Sequence, residues 1–542
     1  MQRRDATKLA KLLKKEVLRA QERMRVKGHP RPYFVSQLLR SEELWITDAK
    51  YGALTADSHY KRRDSLADVR VGSYRYDQVQ DGGLNDNSKQ EESFEMAEMP
   101  IGGDEAGVQH ALWRLTEARY REALDAYLRK KSFALTFQDE NAALQSFQRT
   151  DGKESIAWRN LPEVDHDHYR NFVRKASAEL RRYPQLKNGS VKFTARHSVR
   201  IFVSSEGTLQ VQSMPYYTLE VYLWYLSEKG VGSPLSKTFF VADPDELPTL
   251  AQVRKLIRGM HSQLQALTAA PTVRAFSGPV LLDPRPAGLL FHEALGHRLE
   301  GNRLLSPTEG HTFRDSRGQA ILPEGLTLRD DPRLERFEGK SLTGHYAFDD
   351  EGVDAQNAEL IVDGELRGFL TSRAPIGKGH KSNGHGRSRH HARAMSRMGV
   401  TIVDVEEGLS EAKLRDAFVA EIREQGVPYG IRIVQASGGE TSTEAYDFQA
   451  FLGEIDIATR IFPDGREELI RGVDLVGTPL NAIRGIVAVG KDRAVDNSFC
   501  GAESGDLPVS TISPALLVDE LELQNKHERS YTQFAYPMPW EK

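Results

Sequence analysis

The sequence predicts an α+β protein: an N-terminal two-layer α/β domain followed by a mostly β C-terminal domain. Three observations carry this. The chain has 542 residues, too many for one ordinary core. Its first half mixes helical periodicities with alternating apolar runs. Its second half is dominated by short apolar alternations separated by hairpin-type turns.

Residues 1–30 read as an amphipathic helix. Leu9, Leu12, Leu13 and Val17 recur at helical spacing, and Gly28 and Pro30 close it. Residues 31–277 form the expected N-terminal α+β domain. Within it the alternation from Asp68 to Asp81 predicts a strand, and the Gly-, Asn- and acid-rich span from Asp81 to Glu105 a loop. Ala111 to Lys131 is a helix, and Val191 to Gln212 gives strands turning at Glu206-Gly207. Tyr217 to Tyr225 is a further strand. Thr249 is a plausible N-cap for a long helix to Thr268 with Leu250, Val253, Leu256, Ile257 and Met260 on one face.

The boundary falls at Gly278-Pro279, so residues 278–542 form the second domain. Val280 to Leu282 is a short strand, and Pro284 and Pro286 introduce a helix running through His292. Val362-Asp363-Gly364-Glu365 and Pro463-Asp464-Gly465-Arg466 are hairpin turns. One helix has Ser410 as N-cap and Gly426 past its end. Leu469 to Val476 and Ile486 to Val489 supply further strands. No repeat with a period of about 20–50 residues is present.

Composition removes several classes. Hydrophobic residues are 39% and charged residues 28%, a globular balance rather than a disordered one. The chain has a single cysteine, Cys500, which rules out intramolecular disulfides and paired-cysteine zinc modules. A formal net charge of -4 argues against a global polycation for nucleic acid. No apolar run approaches the ~20 residues needed to span a bilayer, and the N-terminus has no apolar signal region. The expectation is a soluble protein of a reducing compartment, most simply the cytoplasm.

The richest segment is Gly288 to Gly301, which contains His292-Glu293-Ala-Leu-Gly296-His297. Zincins place two histidines four residues apart on one helix face, with a glutamate between them to activate water. Here the spacing is five. On a regular α-helix that separates the imidazoles by about 140°, too far to clasp one ion. A π-like turn brings them back together, so the spacing predicts a widened or broken turn, eased by Gly296. A triplet fixing only three positions also arises by chance. A catalytic zinc needs a third protein ligand, for which Glu300, His311, later histidines and Cys500 compete. Spacing alone leaves Glu300 and Cys500 level. Cys500 lies in a Gly-flanked, turn-rich stretch, and thiolate suits zinc.

A second cluster, Lys378 to Arg393, is rich in Lys, Arg and His and carries no acid. It reads either as a solvated basic loop or as a device for holding peptide carbonyls, a carboxylate or an oxyanion. His385 and Arg387 are its candidate substrate-binding residues. Nucleic acid is disfavoured because no aromatics interleave.

Taken together, these blocks resemble the TldD/PmbA metallopeptidases, in particular the catalytic TldD-like branch. The resemblance rests on Ala67 to Ser73, on Gly288 to Gly301, and on Asp349-Asp-Glu-Gly352. It continues in Ser382 to Arg387, Arg484 to Gly490 and the Cys500-Gly501 loop, in that order. It implies a zinc peptidase with His292, His297 and Cys500 as ligands and Glu293 as general base, acting on peptides or unfolded segments threaded as extended chains into an enclosed site. It also implies a homodimer, or a heterodimer with a non-catalytic paralogue. The competing class is a metal-stabilised peptide-binding or assembly subunit without turnover. Departures from the family pattern are Asn302 in place of Asp, Arg298 in place of a small residue, and Gly399-Val400 after Arg397-Met398.

Overall fold

The computed structural model describes residues 1–79, 97–102, 104–134, 144–389, 392–445, 451–477, 479–526 and 529–540. Most of the expected acid-rich loop, residues 81–96 and 103, lies outside the described residues. The chain is mixed α+β, with an N-terminal sheet domain and a β-rich C-terminal domain.

Among the described residues the N-terminal sheet has seven strands. Its spine is formed by Pro32–Lys50, Ala53–Val71, Leu186–Ser204 and Leu209–Leu226, all antiparallel to their neighbours in this series. Strand alternation splits its two faces. Val191, Phe193, Ala195, Val199, Ile201 and Val203 point to one side, where four helices cover them. Helix Arg3–Arg23 buries Ala6, Ala10, Leu13 and Val17 there; of the stripe its spacing predicts, Leu13 and Val17 are buried and Leu9 and Leu12 only partly so. Helix Leu250–Ala269 begins with a full capping box, in which Thr249 and Gln252 exchange side-chain and backbone bonds. The opposite face docks onto the C-terminal domain. Arg200 pairs with Asp350 at 2.7 Å, Gln212 donates to the Phe348 carbonyl at 2.9 Å, and Arg373 meets Glu206 at 2.8 Å.

Two elements differ from expectation. The alternation read from Asp68 onward belongs to the end of Ala53–Val71, which stops where Gly72 takes φ +109° and Ser73 and Tyr76 exchange backbone bonds. The long first strands lack an apolar signature because their middles are a charge ladder. Glu42 lies opposite Arg62 and Glu43 opposite Lys61, and both pairs form salt bridges, at 2.5 and 3.2 Å.

In the C-terminal domain five strands close into a ring. Leu507–Asn525 pairs with Val473–Gly477, which pairs with Phe451–Ile461, then Gly430–Thr441, then Phe276–Leu282. Phe276–Leu282 then pairs back with Leu507–Asn525. Val280 and Leu282 share a core with the helix Pro284–Phe291, while Leu281 faces the helix Glu411–Glu424 on the other side. The ring thus holds the short helix that leads into the histidine motif. Ser410 caps Glu411–Glu424, and Gly426 follows it at φ +64°. Asp363 and Gly364 both have positive φ between the strands Ala358–Val362 and Glu365–Leu366, the hairpin turn the dipeptide predicts. Among the described residues no helix is long and apolar enough to cross a membrane.

At the junction of the domains, burial pushes the Glu351 carboxyl up to about 7 although Arg373 opposes it. Burial and then the Glu351 charge raise Asp349 well above the carboxylate range. A carboxyl whose pKa rises on folding favours the native state while it is protonated. That advantage is lost as pH climbs from its unfolded value toward its folded one. The Glu351→Gln variant should therefore gain stability relative to the natural chain between about pH 4.5 and about pH 7 and hold the gain above that. Urea unfolding at several pH values checks this, and a pH-independent difference would contradict it.

Candidate metal centre

Helix Pro284–Phe291 starts on proline and packs tightly on the strand Leu507–Asn525. A Cβ on Gly288 would sit 3.1 Å from Thr511. The helix runs directly into one π turn, His292–Gly296, in which the His297 N–H donates to the His292 carbonyl. This is the widened i→i+5 turn the histidine spacing predicts. It leaves the two imidazoles with centroids 5.1 Å apart and planes nearly perpendicular.

Gly296 has ordinary right-handed angles, φ -51° and ψ -57°, so conformational freedom is not its reason. Its reason is space: a Cβ there would lie 2.1 Å from the Met398 sulfur.

Cys500 ends the strand Ile486–Cys500, at a hairpin whose other arm begins with Leu507. Its Sγ stands 3.1 Å from His292 Nε2 and 3.4 Å from His297 Nε2. The three donor atoms lie within 4.8 Å of one another, and all three residues are buried. Tetrahedral zinc with Zn–N and Zn–S of about 2.05 and 2.3 Å requires an N···S separation of about 3.6 Å. The observed spacings come within about half an ångström of this, so the donor set suits the ion in kind and position. Burial would raise the Cys500 thiol, but His297, His292 and Arg397 outweigh it and hold it well below its ordinary range. Burial opposes the charging of His297, yet Cys500 and Glu300 raise it well above the usual histidine value. The sulfur is thereby favoured as thiolate, its ligating form.

Glu300, the rival third ligand by spacing, stands on the far side of His297. Its Oε2 is 3.3 Å from Nδ1, the nitrogen turned away from Cys500. Burial pushes its carboxyl up, but His297, Arg303 and Arg397 bring it down to about 2. His311 bonds the Ser306 carbonyl at 2.6 Å and does not join the donor cluster. Glu293 lines the same cavity of about 270 Å³ as the three donors, together with Arg303, the Gly439–Thr441 strand end, Phe499 and Glu503. Among the described residues none hydrogen-bonds to the Glu293 carboxylate.

His385 and Arg387 sit elsewhere. Both are buried and neither lines the cavity. His385 Nε2 is 3.2 Å from Asp330, and Arg387 donates to the carbonyls of Met398 and Pro508. The basic segment is thus largely interior, with Arg389 and Arg393 reaching Glu42 and Asp68 of the first domain. His390 and His391 lie outside the described residues.

Sequence reasoning missed the arginines that brace the centre. Arg298 donates to the Glu293 carbonyl at 2.8 Å, to Thr441 at 2.9 Å and to the Ser442 carbonyl at 3.1 Å. Arg303 binds Glu300, Glu309, Thr443 and both oxygens of Glu503. Only the departure at Arg298 marked it in the sequence. Asn302 accepts from Ser396 and Ser372, three bonds an aspartate could also accept.

The profile of the PmbA/TldA metallopeptidase C-terminal domain matches residues 276–525. A metalloprotease from Methanothermobacter thermautotrophicus is 30% identical over 328 residues, 60% of this chain and 67% of that protein. The chain belongs to the TldD/PmbA family. A Synechocystis metalloprotease is 29% identical over 366 residues, 66% of this chain and 71% of that one. The match to an Archaeoglobus fulgidus metalloprotease, 32% identical, spans 44% of this chain and only about half the length of that relative, 51%. Among solved structures, TldE from Thermococcus kodakarensis superposes with a TM-score of 0.62 at 13% identity, covering 94% of this chain and 99% of that one. A Thermotoga maritima chain gives 0.63 at 13% identity, covering 95% and 100%. These two show that their fold extends over nearly the whole chain.

Within this TldD/PmbA centre, Gly296→Ala drives a methyl into Met398 and should destabilise the chain by about 1–3 kcal/mol. Shortening the partner in Gly296→Ala/Met398→Ala should return part of that loss. Thermal unfolding of the pair of variants measures it, and a neutral Gly296→Ala would contradict the packing account.

Proposed function

We propose that the chain is a zinc-dependent peptidase. The observation that carries the reading is the convergence of two imidazole Nε2 atoms, one thiolate and the unencumbered Glu293 carboxylate on one cavity. His292, His297 and Cys500 would hold the ion. Zinc in such a site supplies Lewis acidity, polarising a carbonyl and making water a better nucleophile. A thiolate offsets part of the ion's charge, which leaves more of the work to the base. Glu293 would take the water proton on its carboxylate and return it to the leaving amine nitrogen.

The substrate reading is an extended peptide. The strand Gly430–Thr441 pairs with Phe451–Ile461 along its length as far as Thr441. Among the described residues its other edge pairs with Phe276–Leu282 only at Ile431 to Ile433. The remaining edge, ending in Gly439–Thr441 at the cavity wall, supports binding by strand addition. Arg298 ties this strand end to the histidine turn, so substrate and ligands would share one frame. His385 and Arg387 would act behind that frame. Arg387 holds the Met398 carbonyl, and the His385 carbonyl accepts the Arg397 N–H, which fixes the segment that packs on Gly296. A twofold partner, itself or a non-catalytic paralogue, would close the site, and cytoplasmic residence fits the unpaired thiol.

Two variants test the assignments. Glu293→Gln should keep one zinc per chain and lose at least about 100-fold in hydrolysis of an unstructured peptide. Cys500→Ser should lose zinc by elemental analysis. Retained activity in the first, or undiminished zinc in the second, would sink the corresponding role.

A further inference from the structure

We propose that Glu300 and Arg397 form a single buried clamp that positions both kinds of metal ligand at once, the His297 imidazole and the Cys500 thiolate. The inference rests on the metal reading above and concerns residues that would not themselves touch the ion. Glu300 is fully buried and Arg397 is 1% exposed. One carboxylate oxygen of Glu300 takes the His297 Nδ1 side at 3.3 Å and Arg303 at 2.9 Å. The other lies 3.3 Å from Arg397 Nε, an ion pair without hydrogen-bond geometry. The two terminal nitrogens of Arg397 bond the hairpin that carries Cys500. They reach the Cys500 carbonyl at 2.7 Å, the Ser504 hydroxyl at 2.9 Å and the Gly505 carbonyl at 3.0 Å.

Imidazole binds a metal through a nitrogen that carries no proton, so the tautomer matters. With Glu300 accepting from Nδ1, a proton is held there, and Nε2 is left as the nitrogen that would meet the ion. A guanidinium has a rigid planar fork, so one Arg397 can hold the hairpin and the carboxylate in a fixed relation. The histidine turn and the hairpin are 203 residues apart at His297 and Cys500. Among the described residues no other side chain bonds both the Cys500 backbone and a partner of a ligand histidine. Arg303 shares Glu300 but reaches the hairpin only at Glu503, further along.

Glu300 and Arg397 are therefore positioning residues. Loss of such an outer partner costs about 10- to 100-fold in metal affinity. The test uses the full chain, with zinc competed against a chromophoric chelator and Co2+ as a spectroscopic probe. Glu300→Gln is expected to weaken zinc 10- to 100-fold and to shift the Co2+ ligand-field bands. Arg397→Lys keeps the charge but not the fork, and is expected to weaken the sulfur-to-cobalt charge-transfer band. Because either change disturbs a buried pair, Glu300→Gln/Arg397→Gln removes both charges together and is expected to show the same weakening. A third arm needs no variant: 15N shifts of the zinc-loaded natural chain should report His297 protonated at Nδ1. Affinities within about threefold of natural with unchanged cobalt spectra, or a proton on Nε2, would overturn the clamp. If the natural chain itself takes up neither zinc nor cobalt, the metal reading fails first, and separately.

Discussion

Two histidines five residues apart can serve one ion only if the backbone between them is wound wider than an α-helix, and that constraint organises the centre. The π turn at His292–Gly296 costs helical regularity, so its surroundings must hold it. Met398 fills the space above Gly296, Arg387 fixes the Met398 carbonyl, and Arg298 bonds the carbonyl of Glu293 inside the turn. Losing Arg298's bond to the Glu293 carbonyl would leave the turn freer to relax toward 3.6 residues per turn. The two Nε2 atoms would then diverge.

The second feature is charge in places where water is scarce. Glu300, Arg303 and Arg397 are buried together beside the donors, and a buried ion pair earns little net stability by itself. Its value here is orientation. Each charge is satisfied by a neighbour that itself carries a functional atom: His297 through Glu300, the thiolate hairpin through Arg397 and Glu503. The same principle works at the domain junction, where Arg200 of the N-terminal sheet answers Asp350, and Arg373 and Arg393 of the C-terminal domain answer Glu206 and Asp68. The C-terminal ring supplies the frame and the N-terminal sheet backs its loops.

Local chemistry was legible in the sequence wherever one residue type has one strong preference. Thr249 and Ser410 marked helix starts, Asp363-Gly364 marked a hairpin, and the His292–His297 spacing forced the widened turn. Long-range chemistry was not. The strands Pro32–Lys50 and Ala53–Val71 carry charges whose partners lie across the hairpin, so the alternation that identifies a strand shows only at the end of the second, from Asp68. Arg387 and His385 looked like substrate contacts because clustered cations usually face solvent. Here carbonyls and Asp330, contributed by distant segments, absorb them. Glu300 and Cys500 could not be separated by spacing, since only the folded chain shows which nitrogen of His297 each one faces.

In the proposed zinc site Cys500, brought beside a widened histidine turn, would complete a tetrahedral shell with one position left for chemistry. X-ray absorption at the zinc edge of the purified full chain tests it most directly. The account predicts one sulfur at about 2.3 Å and two imidazole nitrogens at about 2.0–2.1 Å, with a light atom as the fourth neighbour. A zinc shell without sulfur, or one saturated by four protein ligands, would contradict it.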